Sequence, residues 1–124
     1  MNVKIDTKEK FHVITPHEPS LSVNMTEELG SLLLSCLEKE VKNVVLSLQH
    51  TQMIDEAAAG LLVNTQQQFY EAGASFVICE LQEAVEKWLD EKEILELMNV
   101  TPTQSEAWDI VQMEEIEREL LGDE

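Results

Sequence analysis

Two adjacent carboxylates, Asp55 and Glu56, are the residues of this sequence best placed to do chemistry. They lie in the segment 53–62 and are followed by small residues, the alanines 57–59 and Gly60. Apolar residues at helical spacing come next, so the pattern predicts that a helix begins here. The positive end of a helix favours carboxylates, and the small residues predict a close approach to an underlying sheet. On residue types alone, the segment is a well-capped helix start.

The sequence lacks the usual signatures of catalytic, metal and cofactor sites. It has no nucleophile signature, and its four glycines do not assemble a phosphate-binding loop. The three histidines, His12, His17 and His50, do not have the spacing of paired metal ligands. Cys36 lies on an apolar helical stripe and Cys79 at a strand end, which predicts reduced core residues. We therefore predict no enzymatic activity, no metal and no cofactor.

The elements around the two carboxylates predict a strand–helix–strand unit. The apolar run 44–48 indicates a buried strand, and the polar residues 49–52 indicate a loop that leads to Asp55. Gly73 lies where a helix C-terminus favours positive φ, and a second buried strand is predicted over residues 74–79. The two strands of such a unit run parallel, with a right-handed crossover.

The N-terminal residues predict a hairpin and a helix. Residues 3–7 and 11–14 have strand patterns on either side of a charged turn. Residues 16–22 contain two prolines and predict a loop. Asn24 and Glu27 have capping-box spacing, so the first helix is predicted to begin there.

The C-terminal third is predicted to be helical apart from one short strand. Apolar spacing indicates a helix over residues 84–89 and one or two further turns over 94–98. Residues 100–103 are β-branched and contain a proline, which is typical of an edge strand. Thr103 has a glutamate three residues later, so it is predicted to cap a last helix, which frays after Glu117.

Together these elements predict a single α/β domain over residues 1–124. We expect a small mixed β-sheet of four to five strands covered by about four helices. The length is typical of one domain, and 44% hydrophobic residues suffice for a core without disulfides.

The formal net charge of -17 limits the classes of partner. Nucleic acids and anionic membranes would repel such a chain, and no apolar run is long enough to span a bilayer. The N-terminus also lacks the apolar core of a secretion signal, so we expect a cytoplasmic protein. Residues 80–124 carry -12 of the charge and residues 1–79 only -5. Any protein partner is therefore expected to present a basic surface.

The segment around Asp55 resembles the STAS domain, the fold of bacterial anti-sigma factor antagonists. The similarity extends from the opening hairpin to residues 105–107, and its most specific part is Ile54 and Asp55 followed by small residues and Gly60. In that family the motif reads approximately Asp-Ser-Ser/Thr-Gly-Leu-Gly. An anti-sigma kinase phosphorylates the serine after the aspartate, and phosphorylation blocks docking to that kinase.

The chain departs from the family motif at three positions. Glu56 stands in place of the phosphorylated serine, Ala57 replaces the next hydroxyl residue, and Ala58 replaces the first glycine. Asp55 and Gly60 match the family's aspartate and last glycine. A carboxylate cannot be switched by a kinase, so the usual phospho-switch is expected to be absent.

The resemblance implies a non-enzymatic regulatory module for protein–protein interaction. Its partner-binding residues would be Asp55, Glu56, Ala57, Ala58 and Gly60. The partner would be an anti-sigma factor, a serine kinase or a sensor protein. Glu56 either mimics the phosphorylated form and weakens docking, or strengthens binding to a basic pocket, and the sequence leaves both open.

A small-ligand or nucleotide-binding regulatory domain is the alternative prediction. A phosphate bound at this loop would meet two carboxylates, and Lys42 is the lysine expected nearby. The oligomeric state does not follow from the sequence.

Overall fold

The computed structural model of the chain describes residues 1–122. The strands are β1 (Val3–Thr7), β2 (His12–Pro16), β3 (Ser20–Leu21), β4 (Val44–Ser47), β5 (Met53–Ile54), β6 (Phe76–Cys79) and β7 (Val100–Thr101). The α-helices are α1 (Thr26–Ser35), α2 (Glu56–Glu71), α3 (Glu83–Glu91) and α4 (Gln104–Leu121). Short 3₁₀ turns occupy Val23–Met25, Cys36–Glu38 and Leu95–Leu97.

Five strands form one mixed sheet in the order β1-β2-β4-β6-β7. β1 lies antiparallel to β2, whereas β2, β4, β6 and β7 run parallel. β4 precedes α2 in sequence and β6 follows it, and the two strands pair side by side in the sheet. The predicted parallel strand–helix–strand unit is therefore confirmed. β7 lies at the sheet edge, as predicted for the segment 100–103 from its proline. The predicted α/β class with a mixed sheet is therefore confirmed.

Side chains alternate between the two faces of this sheet. Ile14, Leu46 and Ile78 lie in the larger core, against the layer that contains α1, α2 and α3. The other face packs against α4. The buried residues on that side are Val13, Val45, Val77, Cys79, Ala107 and Val111.

β3 and β5 form a second, two-stranded parallel sheet that the sequence did not predict. The prediction of a loop over residues 16–22 is wrong in part, because β2 extends to Pro16 and β3 occupies Ser20–Leu21. Pro16 fits a strand here because β4 pairs only with residues 12–14 of β2. That ladder therefore needs no N–H from Pro16.

The predicted start of the first helix is wrong. α1 begins at Thr26, and its N-cap residue, Met25, makes no side-chain capping bond. The predicted cap, Asn24, lies inside the preceding 3₁₀ turn. The N–H of Val23 at the start of this turn donates to the Asp55 carboxylate, so a contact distant in sequence holds the turn.

The predicted end of α2 and the predicted start of α4 are both confirmed, whereas the predicted end of α4 is not. Gly73 has φ +74°, which confirms the predicted end of α2. Thr103 caps α4, because its hydroxyl oxygen accepts from the N–H of Glu106 at 3.1 Å. The predicted fraying after Glu117 is wrong, since α4 continues to Leu121. Arg118, in its last turns, donates to the Ser75 hydroxyl at 3.2 Å and thereby attaches this end to the sheet.

Candidate functional site

Asp55 joins the start of α2 to the segment that follows β3. Its Oδ1 accepts from the N–H of Ala58 at 2.9 Å, which is an N-cap bond, and its Oδ2 accepts from the N–H of Val23 at 2.9 Å. Its own N–H donates to the carbonyl of Leu21 at 3.1 Å. Because both carboxylate oxygens accept hydrogen bonds from the chain's own backbone, Asp55 has a structural role: it holds the start of α2 against the turn at Val23.

Glu56 lies next to Asp55 and points into solvent. Its Oε1 is 3.4 Å from the Nζ of Lys92, the residue that follows α3. That ammonium group also lies 5.8 Å from the centre of the Trp88 ring. Both charged side chains are exposed, so the pair contributes at most about 1 kcal/mol. The contact places the end of α3 beside Glu56.

The lysine near this loop is Lys92, and the expectation that it would be Lys42 is wrong. Lys42 lies two residues before β4, whereas Asp55 follows the loop at the other end of that strand. Lys42 instead lines a surface depression that includes Glu115 and Arg118. Because Lys92 at the end of α3 contacts Glu56, the acidic α3 borders the Asp55–Glu56 surface although it is distant in sequence.

The small residues after Glu56 divide between the core and the surface. Ala58 and Ala59 are buried against the core and allow the close approach that the sequence predicts. Gly60 does not contribute to it, because a Cβ at this position would meet no atom within 4 Å. Ala57 and Gly60 are exposed, so a partner can contact them, whereas the Ala58 side chain is covered.

Val23 and Met53 are exposed apolar residues that sequence reasoning missed. Val23 is held against Asp55 by its N–H, and Met53 lies in β5, directly before Ile54 and Asp55. We name the exposed set Val23, Met53, Glu56, Ala57 and Gly60 the α2 corner. The corner combines one negative charge with two apolar side chains, a composition that suits contact with a protein.

The cysteine thiols are unsuited to nucleophilic chemistry. Cys36 and Cys79 are both buried, as predicted. Burial raises the pKa of Cys36, with the charge of Lys39 opposing the shift. Burial, reinforced by the charge of Glu80, raises the pKa of Cys79 to about 12. Both thiols are therefore protonated at neutral pH.

The histidines are separated or occupied by other contacts. His12 uses both ring nitrogens, one with the Thr7 hydroxyl at 2.9 Å and one with the Val41 carbonyl at 2.8 Å. His17 and His50 stack with ring centres 4.6 Å apart. Within residues 1–122, no three potential metal-binding side chains come together. In the same range, no helix has the length and apolar character needed to cross a membrane.

Comparison with known proteins identifies the fold and the family. The sequence pattern of the STAS domain matches residues 2–107. No curated protein sequence matches the chain. Three solved structures that it resembles are 14% to 20% identical to it in sequence, so they show a shared fold.

A Thermotoga maritima protein described as a candidate anti-sigma factor antagonist has a TM-score of 0.79 at 20% identity, covering 89% of this chain and 94% of that one. An anti-sigma-factor antagonist (STAS) domain protein from Planctomyces limnophilus has a TM-score of 0.76 at 18% identity, covering 90% and 99%. The unphosphorylated anti-sigma factor antagonist SpoIIAA of Bacillus has a TM-score of 0.69 at 14% identity, covering 89% and 96%. Since the family pattern spans most of the sequence and these structures share its topology, the chain belongs to the STAS domain family.

Proposed function

We propose that this chain is a non-enzymatic regulatory module of the cytoplasm that binds a protein partner through the α2 corner. The partner class is an anti-sigma factor, a serine kinase or a sensor protein that presents a basic surface. The observation that carries the proposal is the corner itself. Asp55 satisfies both carboxylate oxygens internally, while Glu56, Val23 and Met53 remain exposed around it.

The corner is preorganised for binding. Asp55 connects α2 to the 3₁₀ turn through two backbone N–H groups, so Val23 and Glu56 hold fixed positions relative to each other. A surface that is already ordered loses little conformational entropy when a partner docks. Exposed apolar side chains beside a charge then supply contact area and orientation.

Glu56 gives the corner a permanent charge. It carries about one negative charge, whereas a phosphoserine carries about 1.5 to 2 at neutral pH. No kinase can add or remove this charge, so the module acts without the phospho-switch of its relatives. Lys92 partly neutralises Glu56, and a partner's basic group would compete with Lys92 for the same carboxylate.

The test measures binding of the full chain to anti-sigma serine kinases from the same genome, with ATP present. We expect wild type to bind at least one kinase and to gain no phosphate at residue 56. Glu56→Lys should change the dissociation constant at least about tenfold, in either direction. Weaker binding would show that Glu56 meets a basic pocket on the partner, whereas tighter binding would contradict the proposed basic surface and show that Glu56 opposes docking.

Glu71→Lys is the matched control, because it makes the same charge change at the far end of α2, about 20 Å away. This variant should bind as wild type does. The proposal fails if no kinase or sensor protein binds, or if the two lysine variants have equal effects. A Glu56→Ser variant that gains phosphate from the bound kinase would also show that the partner's active site reaches residue 56.

A further inference from the structure

The two halves of α4 attach to the sheet in different ways. Ala107 and Val111, in the first half, are buried against the sheet. In the second half, the residues that face the sheet are polar. Glu114 Oε1 accepts from the Ser75 hydroxyl at 2.6 Å, and Glu115 Oε2 accepts from the amide of Asn43 at 2.8 Å. The last turns of α4 are therefore held by hydrogen bonds.

Three apolar residues of this second half point away from the sheet. Met113, Ile116 and Leu120 follow one another at spacings of three and four, so they share one helix face. They are 59%, 56% and 76% exposed. An amphipathic helix normally turns such a stripe toward the core. Here the stripe faces solvent, and we name these three residues the α4 stripe.

Acidic residues flank the α4 stripe. Asp109, Glu117 and Glu119 are exposed on α4, and the helix's one basic residue, Arg118, donates to Ser75 on the sheet side. A second copy of α4 would place carboxylates against carboxylates, in chains that each carry a charge of -17. A helix with an apolar stripe and flanking lysine or arginine residues would instead place positive charges beside these carboxylates.

We propose that the α4 stripe is a second docking surface, and that its occupant is an amphipathic helix of a partner protein with Lys or Arg on both flanks. α4 covers the face of the sheet opposite the layer that contains α1, α2 and α3, so this surface is separate from the α2 corner. The chain can then hold two partner surfaces at once, one on each face of the sheet.

The probe is a synthetic amphipathic peptide with leucine at the core positions of a heptad repeat and lysine at the flanking positions. A second peptide has glutamate at those flanking positions. Fluorescence anisotropy should show that the lysine peptide binds the full chain, and binds it at least about tenfold more tightly than the glutamate peptide. Its binding should weaken as salt is added, because the flanking charges are exposed.

Three variants test whether the peptide occupies the α4 stripe. The substitutions Met113→Gln, Ile116→Gln and Leu120→Gln, made together, should weaken binding at least about tenfold. Met53→Gln, which removes an exposed apolar residue at the α2 corner, should leave it unchanged. Asp109→Asn with Glu117→Gln should remove most of the preference for lysine. Circular dichroism confirms that each variant is folded.

Several results would overturn the proposal. Equal binding of the two peptides would show that the acidic flanks do not select the occupant. Peptide binding that survives the triple substitution would place the peptide elsewhere. Analytical ultracentrifugation gives the remaining outcome. If the chain alone self-associates and the triple substitution abolishes this, the occupant of the stripe is a second copy. Failure at this stripe leaves the α2 corner proposal intact, since the substitutions on α4 do not touch the corner.

Discussion

The start of α2 and the second half of α4 are both held in place by carboxylates, yet they orient their apolar residues oppositely. At the start of α2, Asp55 binds backbone N–H groups while Ala58 and Leu62 are buried in the core. In the second half of α4, Glu114 binds Ser75, while Ile116 and its neighbours in the stripe face solvent. At the start of α2, polar contacts position an apolar face that is buried. In the second half of α4, polar contacts hold the helix and no apolar face is buried there.

The strands explain this difference. Val45 and Val77, in the middle of β4 and β6, offer an apolar surface to Ala107 and Val111 of α4. Before these strands begin, the chain presents Asn43 and Ser75, buried polar residues that need hydrogen-bond partners. α4 extends past the apolar surface to these polar groups, so its sheet-facing residues change from apolar to polar along its length.

The largest effect on stability should come from Asp55→Ala. It removes the N-cap of α2 and leaves the N–H of Val23 without its acceptor, a combined loss of about 2 to 4 kcal/mol. Urea denaturation followed by circular dichroism measures the free energy of unfolding. Asp55→Asn retains one acceptor oxygen and should lose less. If the Asp55→Ala variant is as stable as wild type, Asp55 has no structural role.

Most of the fold was predictable because its signals are local. The apolar run 44–48 and Gly73 predict a buried strand and a helix end from their own residue types, and both are present. β3 and β5 are two residues long, too short to show an alternating pattern. Asn24 has a capping spacing that α1 does not use, because the Asp55–Val23 bond places the turn.

The candidate site was predictable only in part. The sequence alone singled out Asp55 and Glu56, but contacts between distant residues decide their roles. Lys92 reaches Glu56 across 36 positions, and Val23 reaches Asp55 across 32. Neither contact leaves a periodic signal. The exposure of Met53 and of the α4 stripe also depends on how the elements pack, which hydrophobicity alone does not determine.

The packing of α4's first half can be measured by raising the pH. The Cys79 thiol is buried beneath Ala107 and Val111, and its pKa is about 12 against an ordinary value of 9.0. Below pH 9 the folded and unfolded chains both hold the proton. Above it only the unfolded chain releases the proton, so the free energy of unfolding falls by up to about 1.4 kcal/mol per pH unit toward pH 12.

Cys79→Ala is the reference for this measurement, because it lacks the titrating thiol. Its free energy of unfolding, measured in urea from pH 8 upward, should fall less steeply than that of wild type. Other groups titrate equally in the two proteins, so the difference isolates Cys79. Parallel curves would show that the folded state does not exclude water from this thiol.

A smaller effect is expected at the start of α4. Thr103→Ala removes the hydroxyl that accepts from Glu106, which should cost about 1 kcal/mol. Asn24→Ala is the matched comparison, since the sequence predicts a cap at both positions and the structure has one only at Thr103. Thermal or urea denaturation should show wild-type stability for Asn24→Ala. Equal losses would mean that Asn24 also caps its helix.

The smallest effect on folding should come from the α4 stripe. Met113→Gln, Ile116→Gln and Leu120→Gln change side chains that are mostly in solvent, and glutamine has a good helix propensity. Together they should shift the free energy of unfolding by no more than about 0.5 kcal/mol. Glu114→Ala, one position away on the sheet side, should cost about 1 to 2 kcal/mol, because it removes the acceptor of the Ser75 hydroxyl. If the triple substitution were the more damaging change, the stripe would be serving the fold of this chain, and the case for a helix-binding surface on α4 would end.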